Sequence, residues 1–210
     1  MLKPTPLPGG FFRLLLCFLF SSVLQETFGQ TSRTRGELRD GKKEGIWEIY
    51  YPDGKLMARE TYAAGQLHGW VHTFHPNGKS ASREFWQEDL LEDSAYYFYP
   101  EGSLHRKGRY QNGLYEGCWL SFFPDGIPEQ RIQYLRGMPD GRFENWRQDG
   151  SRLEEGTYRE GKKDGQYIFY GSKNRISVLA QYCLDEPCGI WVWYNRRGKP
   201  AYSGQPPANK

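Results

Sequence analysis

One period of 24 residues runs through the chain from residue 36 to residue 204 without an insertion or deletion, and it limits the chain to a repeat architecture. Gly45, Gly69, Gly117, Gly141, Gly165 and Gly189 fill one column, with Asp93 in the remaining place. Gly54, Gly78, Gly102, Gly126, Gly150 and Gly198 fill a second, where Asn174 stands in. Gly41, Gly65, Gly113, Gly137 and Gly161 form a third, completed by Asp89 and Asp185. Gly36, Gly108, Gly156 and Gly204 form a partial fourth. These columns take 21 of the 22 glycines after residue 29, so glycine here is a positional requirement of the backbone at turns and close approaches.

The aromatic residues keep the same register. Tyr50, Phe74, Phe98, Phe122, Trp146, Tyr170 and Tyr194 form an unbroken column, and Tyr62, Trp86, Tyr110, Tyr134, Tyr158 and Tyr182 form another. The column at Trp47, Val71, Ala95, Trp119, Phe143, Tyr167 and Trp191 is always apolar. Within a unit, Gly45 to Tyr51 is strand-prone and Pro52-Asp53-Gly54 is a turn, with proline presetting φ and glycine supplying a positive φ. A second, more polar strand follows, from Lys55 to Tyr62. The expected fold is all-β: tandem 24-residue β-hairpin repeats forming one elongated, twisted antiparallel sheet, with seven units over residues 45–204. A lone hairpin is marginal in water, so neighbouring units must stack their rings. The column from Tyr50 to Tyr194 is the expected structural ladder. It lies three residues from the Trp47 column, which in an ideal strand means the opposite face. Either both faces carry a ladder or a bulge resets the parity.

Residues 1–29 read as a secretory signal peptide. Lys3 and Arg13 precede an apolar run from Leu14 to Leu24, too short to span a bilayer, and Gly29 offers a small residue at the cleavage site. The expected localisation is secreted, either periplasmic or extracellular. Residues 30–44 are expected to cap the array and residues 205–210 to form a flexible tail. Cys118, Cys183 and Cys188 remain after cleavage, and Cys183 with Cys188 is a possible disulfide across an inter-hairpin loop. Residues 30–210 hold 26 basic against 24 acidic side chains. That balance excludes the dense basic surface of a nucleic-acid binder and argues against strong binding to anionic membranes.

The unit Gly-x-x-x-Gly-x-Trp-x-x-Tyr-x-Pro-Asp-Gly-Lys, from Gly41 to Lys55, resembles the MORN-repeat variant of YwqK-type antitoxin-like proteins. The resemblance covers residues of about 36–204. It implies an elongated hairpin sheet with a binding or scaffold role, and no catalytic residues. Repeat three departs at Asp89 and Asp93, and repeat six at Gly171-Ser172-Lys173-Asn174, which puts their turn shapes in question.

No catalytic motif stands out, so the chain is read as a non-enzyme with no catalytic residues, cofactor or metal. His68, His72 and His75 cluster, but strand alternation sends His72 and His75 to opposite faces. Glu88, Asp89, Glu92 and Asp93 read as a solvated acidic turn rather than a calcium loop. The variable columns at 46 and 49 are the better guide, and Trp70, Tyr97, Phe169 and Trp193 are the expected partner-binding residues; packing on the second sheet face is the other reading of them. The expected function is a secreted binding scaffold for a protein partner. The alternatives are an envelope- or glycan-binding repeat protein and an antitoxin or immunity protein.

Overall fold

The computed structural model describes residues 33–206, so the expected signal peptide lies outside the described residues. The strands are β1 (Thr34–Arg39), β2 (Lys42–Tyr50), β3 (Leu56–Ala63), β4 (Gln66–Leu67), β5 (Gly69–Phe74) and β6 (Ser80–Gln87). They continue as β7 (Leu90–Phe98), β8 (Leu104–Gln111), β9 (Leu114–Phe122), β10 (Pro128–Leu135), β11 (Met138–Trp146) and β12 (Arg152–Arg159). The last are β13 (Lys162–Lys163), β14 (Gly165–Tyr170), β15 (Ile176–Cys183), β16 (Glu186–Tyr194) and β17 (Pro200–Gly204). Apart from β4 with β5 and β13 with β14, consecutive strands pair antiparallel, giving one open 17-stranded meander of hairpins. β4 with β5, and β13 with β14, are two pieces of a single strand. The segment expected to cap the array carries β1 and the start of β2.

Two kinds of turn alternate. After β2 the Tyr51 amide donates to the Lys55 carbonyl at 2.8 Å, and the same closure recurs at His75, Tyr99, Phe123, Arg147, Gly171 and Asn195. Repeat six keeps it with a short 3-10 turn at Ser172–Asn174 in place of Pro-Asp-Gly. The other hairpins are closed by residue pairs such as Asp40-Gly41, Asn112-Gly113 and Leu184-Asp185, with both φ angles positive. This is the primed two-residue geometry whose twist matches that of paired strands. Asp89 and Asp93 hold the glycine conformation, with φ of 65° and 55°.

A bulge sits near the start of each unit. Ile132 pairs with Phe143 and Tyr134 with Pro139, so Gln133 faces three residues centred on Gly141. The same offset recurs where Lys107 pairs with Leu120 and Arg109 with Glu116. It carries the start of the strand back over the rings: Lys163 Nζ lies 5.3 Å from the Tyr167 ring centre, and Tyr115 packs 4.6 Å from Trp119.

The core is the Trp47 column. Val71, Ala95, Trp119, Phe143, Tyr167 and Trp191 are between 0 and 9% exposed. Rings of the Tyr62 column fill the strands between them, as in Tyr110–Trp119 at 5.0 Å and Tyr167–Tyr182 at 4.8 Å. Column 50 lies on the other face, half-buried, and among the described residues no ring contact joins one member to the next. It is therefore not the stacked ladder expected from sequence. Members of one column stand two strands apart, about 10 Å, which rings cannot bridge without help from the strand between.

On the core face the fourth glycine column supplies that help. A Cβ on Gly108 would land on the Trp119 ring, one on Gly36 on the Trp47 ring, and one on Gly156 2.7 Å from Tyr167 and 2.9 Å from Phe143. Trp47, Trp119 and Tyr167 each lie against the glycine backbone eleven residues earlier. Their polar tips donate to the next carbonyl, Trp119 Nε1 to Arg109 at 3.0 Å and Tyr167 Oη to Thr157 at 2.9 Å. Where that column holds Glu60 or Glu84, the residue eleven on shrinks to Val71 or Ala95.

Burial, first among the causes, raises Tyr97, Tyr110 and Tyr167 far above the ordinary tyrosine value of 10.0. In the unfolded chain these groups ionise near that value; in the folded chain they keep their protons. Their contribution to stability is thus complete below about pH 10 and is lost as the pH climbs through the folded-state values. Phenolate absorbance followed beside circular dichroism should show these three ionising only as strand structure disappears. Complete ionisation of every tyrosine with the sheet intact would contradict the buried core.

Candidate functional site

Columns 47 and 49 are two residues apart and share a face, which decides where the expected partner-binding residues lie. Tyr97, Phe169 and Trp193 pack against the core cluster, with Tyr97 6.4 Å from Trp119 and Trp193 5.9 Å from Trp191. They are packing residues, the other of the two readings, and the structure corrects their assignment as outward contacts. Trp70 belongs to column 46, three positions from column 49, and projects from the opposite face at 36% exposed.

The opposite face is organised by a cross-strand row. The register places Glu48, Arg59, His72, Arg83, Tyr96, Lys107, Leu120, Arg131 and Glu144 side by side, each directly opposite the next. Directly opposed residues share a face, so this row is one continuous surface. Its basic members, Arg59, Arg83, Lys107 and Arg131, with Arg35 opposite Glu48 on β1, recur every second strand, about 10 Å apart.

The two ends of the row are neutralised. Arg59 pairs with Glu48 at 2.8 Å, and hydrogen bonds from Tyr50 and then Arg59 hold the Glu48 carboxyl below its ordinary value. Arg131 meets Glu144 at 2.9 Å, and Arg142 meets the same carboxylate at 3.2 Å and Glu155 at 3.0 Å. In the middle, Arg83 and Lys107 make no ion pair among the described residues. Arg83 lies over the Trp70 ring, 5.1 Å from its centre, and Trp70 meets Phe85 edge-on at 5.5 Å. His72 sits between Arg59 and Arg83, and burial followed by those two guanidinium charges lowers its pKa. Its buried Nε2 has no hydrogen-bond partner among the described residues.

The remaining candidates have structural roles. His75 Nε2 lies 3.0 Å from the Phe98 carbonyl, one unit on. Tyr51 and Tyr99 make the same reach, to Phe74 at 2.7 Å and Phe122 at 2.9 Å. On the other edge Glu44, Glu92, Glu116, Asp140 and Asp164 each accept the amide of the next unit's turn, twenty residues on. Asp89 works in the reverse direction, accepting from the Leu67 amide at 2.7 Å. Sequence reasoning missed these staples and assigned Asp89 and Glu92 to a solvated turn; the acidic column at position 44 was the signal for them.

Cys183 and Cys188 are bonded across the Leu184-Asp185 turn, with Cα atoms 6.0 Å apart, while Cys118 is free and exposed. The bridge joins residues that the hairpin already holds together. The double variant Cys183→Ser/Cys188→Ser is accordingly expected to lose no more than about 2 kcal/mol in denaturant unfolding, and a larger loss would show that the last hairpin depends on the bond.

The repeat geometry matches a known family. The MORN repeat variant model matches residues 43–64 and 115–135, which are β2 with β3 and β9 with β10. These two segments are similar to the MORN repeat variant. Those two segments are the units with a Trp, Trp47 or Trp119, lying on Gly36 or Gly108. The same 24-residue period runs through the units between and beyond them. A comparison with curated proteins finds no match.

Proposed function

We propose that this repeat protein is a secreted, non-catalytic scaffold whose repeat sheet binds a protein partner. The observation that carries this reading is the contrast between the two faces. The core-face column at 47 stays apolar in all seven units, whereas position 48, directly behind it, runs Glu48, His72, Tyr96, Leu120, Glu144, Ile168 and Val192. Repeat arrays hold their packing positions constant and place specificity on the exposed ones. Secretion rests on the charge and apolar pattern of residues 1–29 and on a disulfide suited to an oxidising compartment.

An envelope glycan is the weaker reading. Sugars stack on open ring faces, but Trp70 carries a guanidinium over its ring and meets Phe85 edge-on. The antitoxin-like reading rests on the sequence resemblance alone. Crosslinking in intact cells, followed by mass spectrometry of the cross-linked product, tests the proposal. A protein joined to residues of the column-48 face in the extracytoplasmic fraction, with the mature chain starting at Gln30, is the expected result. Retention in the cytosol with Met1 to Gly29 still attached would overturn the secreted reading, and crosslinks confined to polysaccharide would favour the glycan one.

A further inference from the structure

The row across the column-48 face contains its own internal comparison. Five cations occupy equivalent places, Arg35, Arg59, Arg83, Lys107 and Arg131. The outer three face carboxylates from column 48: Arg35 and Arg59 both face Glu48, and Arg59 and Arg131 form ion pairs with Glu48 and Glu144. At the inner two, column 48 supplies His72, Tyr96 and Leu120 instead, and no carboxylate. The backbone tolerates a glutamate in this column, because two units carry one. Among the described residues the inner cations are thus left without counter-ions at places where the same architecture provides them elsewhere.

We propose that this stretch, centred on Arg83 and Lys107 with Trp70 beside them, is the docking surface for an acidic segment of a protein partner. The inference rests on the protein-binding reading above and names the surface and the charge of the partner. Charge complementarity selects the occupant: two cations about 10 Å apart, with the Tyr96 hydroxyl group between them, call for carboxylates. Arg, Trp and Tyr are also the side chains that most often dominate protein interfaces. A polyuronate would present carboxylates too, but it would need the Trp70 face that Arg83 already covers.

The test uses the full mature chain and two polymer probes, poly-L-glutamate and polygalacturonate, in binding titrations at low and at physiological salt. Wild type should bind poly-L-glutamate more tightly than polygalacturonate, and Arg83→Glu/Lys107→Glu should weaken the former at least tenfold. Lys162→Glu/Lys199→Glu carries the same change in net charge at two exposed sites elsewhere and should change binding less than twofold. Arg83→Gln/Lys107→Gln, with its melting curve compared to wild type, guards against a folding defect from charge reversal. Equal losses in the two charge-reversed variants, no binding of poly-L-glutamate, or tighter binding of polygalacturonate would overturn the proposal. A protein cross-linked equally well to wild type and to Arg83→Glu/Lys107→Glu would overturn this surface while leaving the protein-binding reading in place.

Discussion

Trp119→Ala is expected to lower the free energy of unfolding by about 3–5 kcal/mol. The ring is 1% exposed and packs against Tyr97, Tyr110 and Tyr115, with the Arg106 guanidinium 4.4 Å from its centre. Truncation removes all of that contact and the hydrogen bond from Nε1 to the Arg109 carbonyl. It also leaves a hollow beside Gly108 that no neighbouring side chain can fill. Urea unfolding followed by circular dichroism reads the effect. Phe122→Ala, on the other face and half-buried, should cost only about 1–2 kcal/mol. A reversed order for the two variants would show that the core lies on the wrong face in this description.

Gly108→Val is expected to cost about 2–3 kcal/mol, the scale of forcing extra atoms into a packed site. Its new Cβ would occupy the space of the Trp119 ring, so the ring has to leave its seat. The two residues should therefore be coupled. In a Trp119→Ala background the same valine should cost at least 1 kcal/mol less, about the size of coupling seen between touching residues. Simple additivity in this double-mutant cycle would show that the glycine is needed for its own conformation and not as a platform for the ring.

The period told the fold because every turn and every ring column obeys it. Gly54, Gly65 and Gly45 announce the two turns and the bulge; Asp89 and Asp93 take the glycine conformation, and Asn174 takes it within a 3-10 turn that keeps the hairpin closed. The faces were harder to read. Column 50 is aromatic in all seven units and column 47 in five of them, and nothing in one dimension says which rings are covered. That depends on Gly36, Gly108 and Gly156, whose column looks incomplete until it is read against the residue eleven places on. Trp70 does lie outward, but Tyr97, Phe169 and Trp193 were assigned outward because columns 46 and 49 were treated alike, although three residues separate them. The uneven pairing of the cation row was invisible for a different reason. Arg83 and Lys107 resemble any surface cation until the register sets them beside Arg59 and Arg131 and shows which of the four have been given an acid.

The staples from Glu44, Glu92, Glu116, Asp140 and Asp164 each reach the adjoining turn and go no farther. Copy number is thereby freed from design: a gene that gained or lost a whole 24-residue block would meet matching seams on both sides of the change. A load applied along the array would likewise open it seam by seam, in small equal steps, rather than in one catastrophic event.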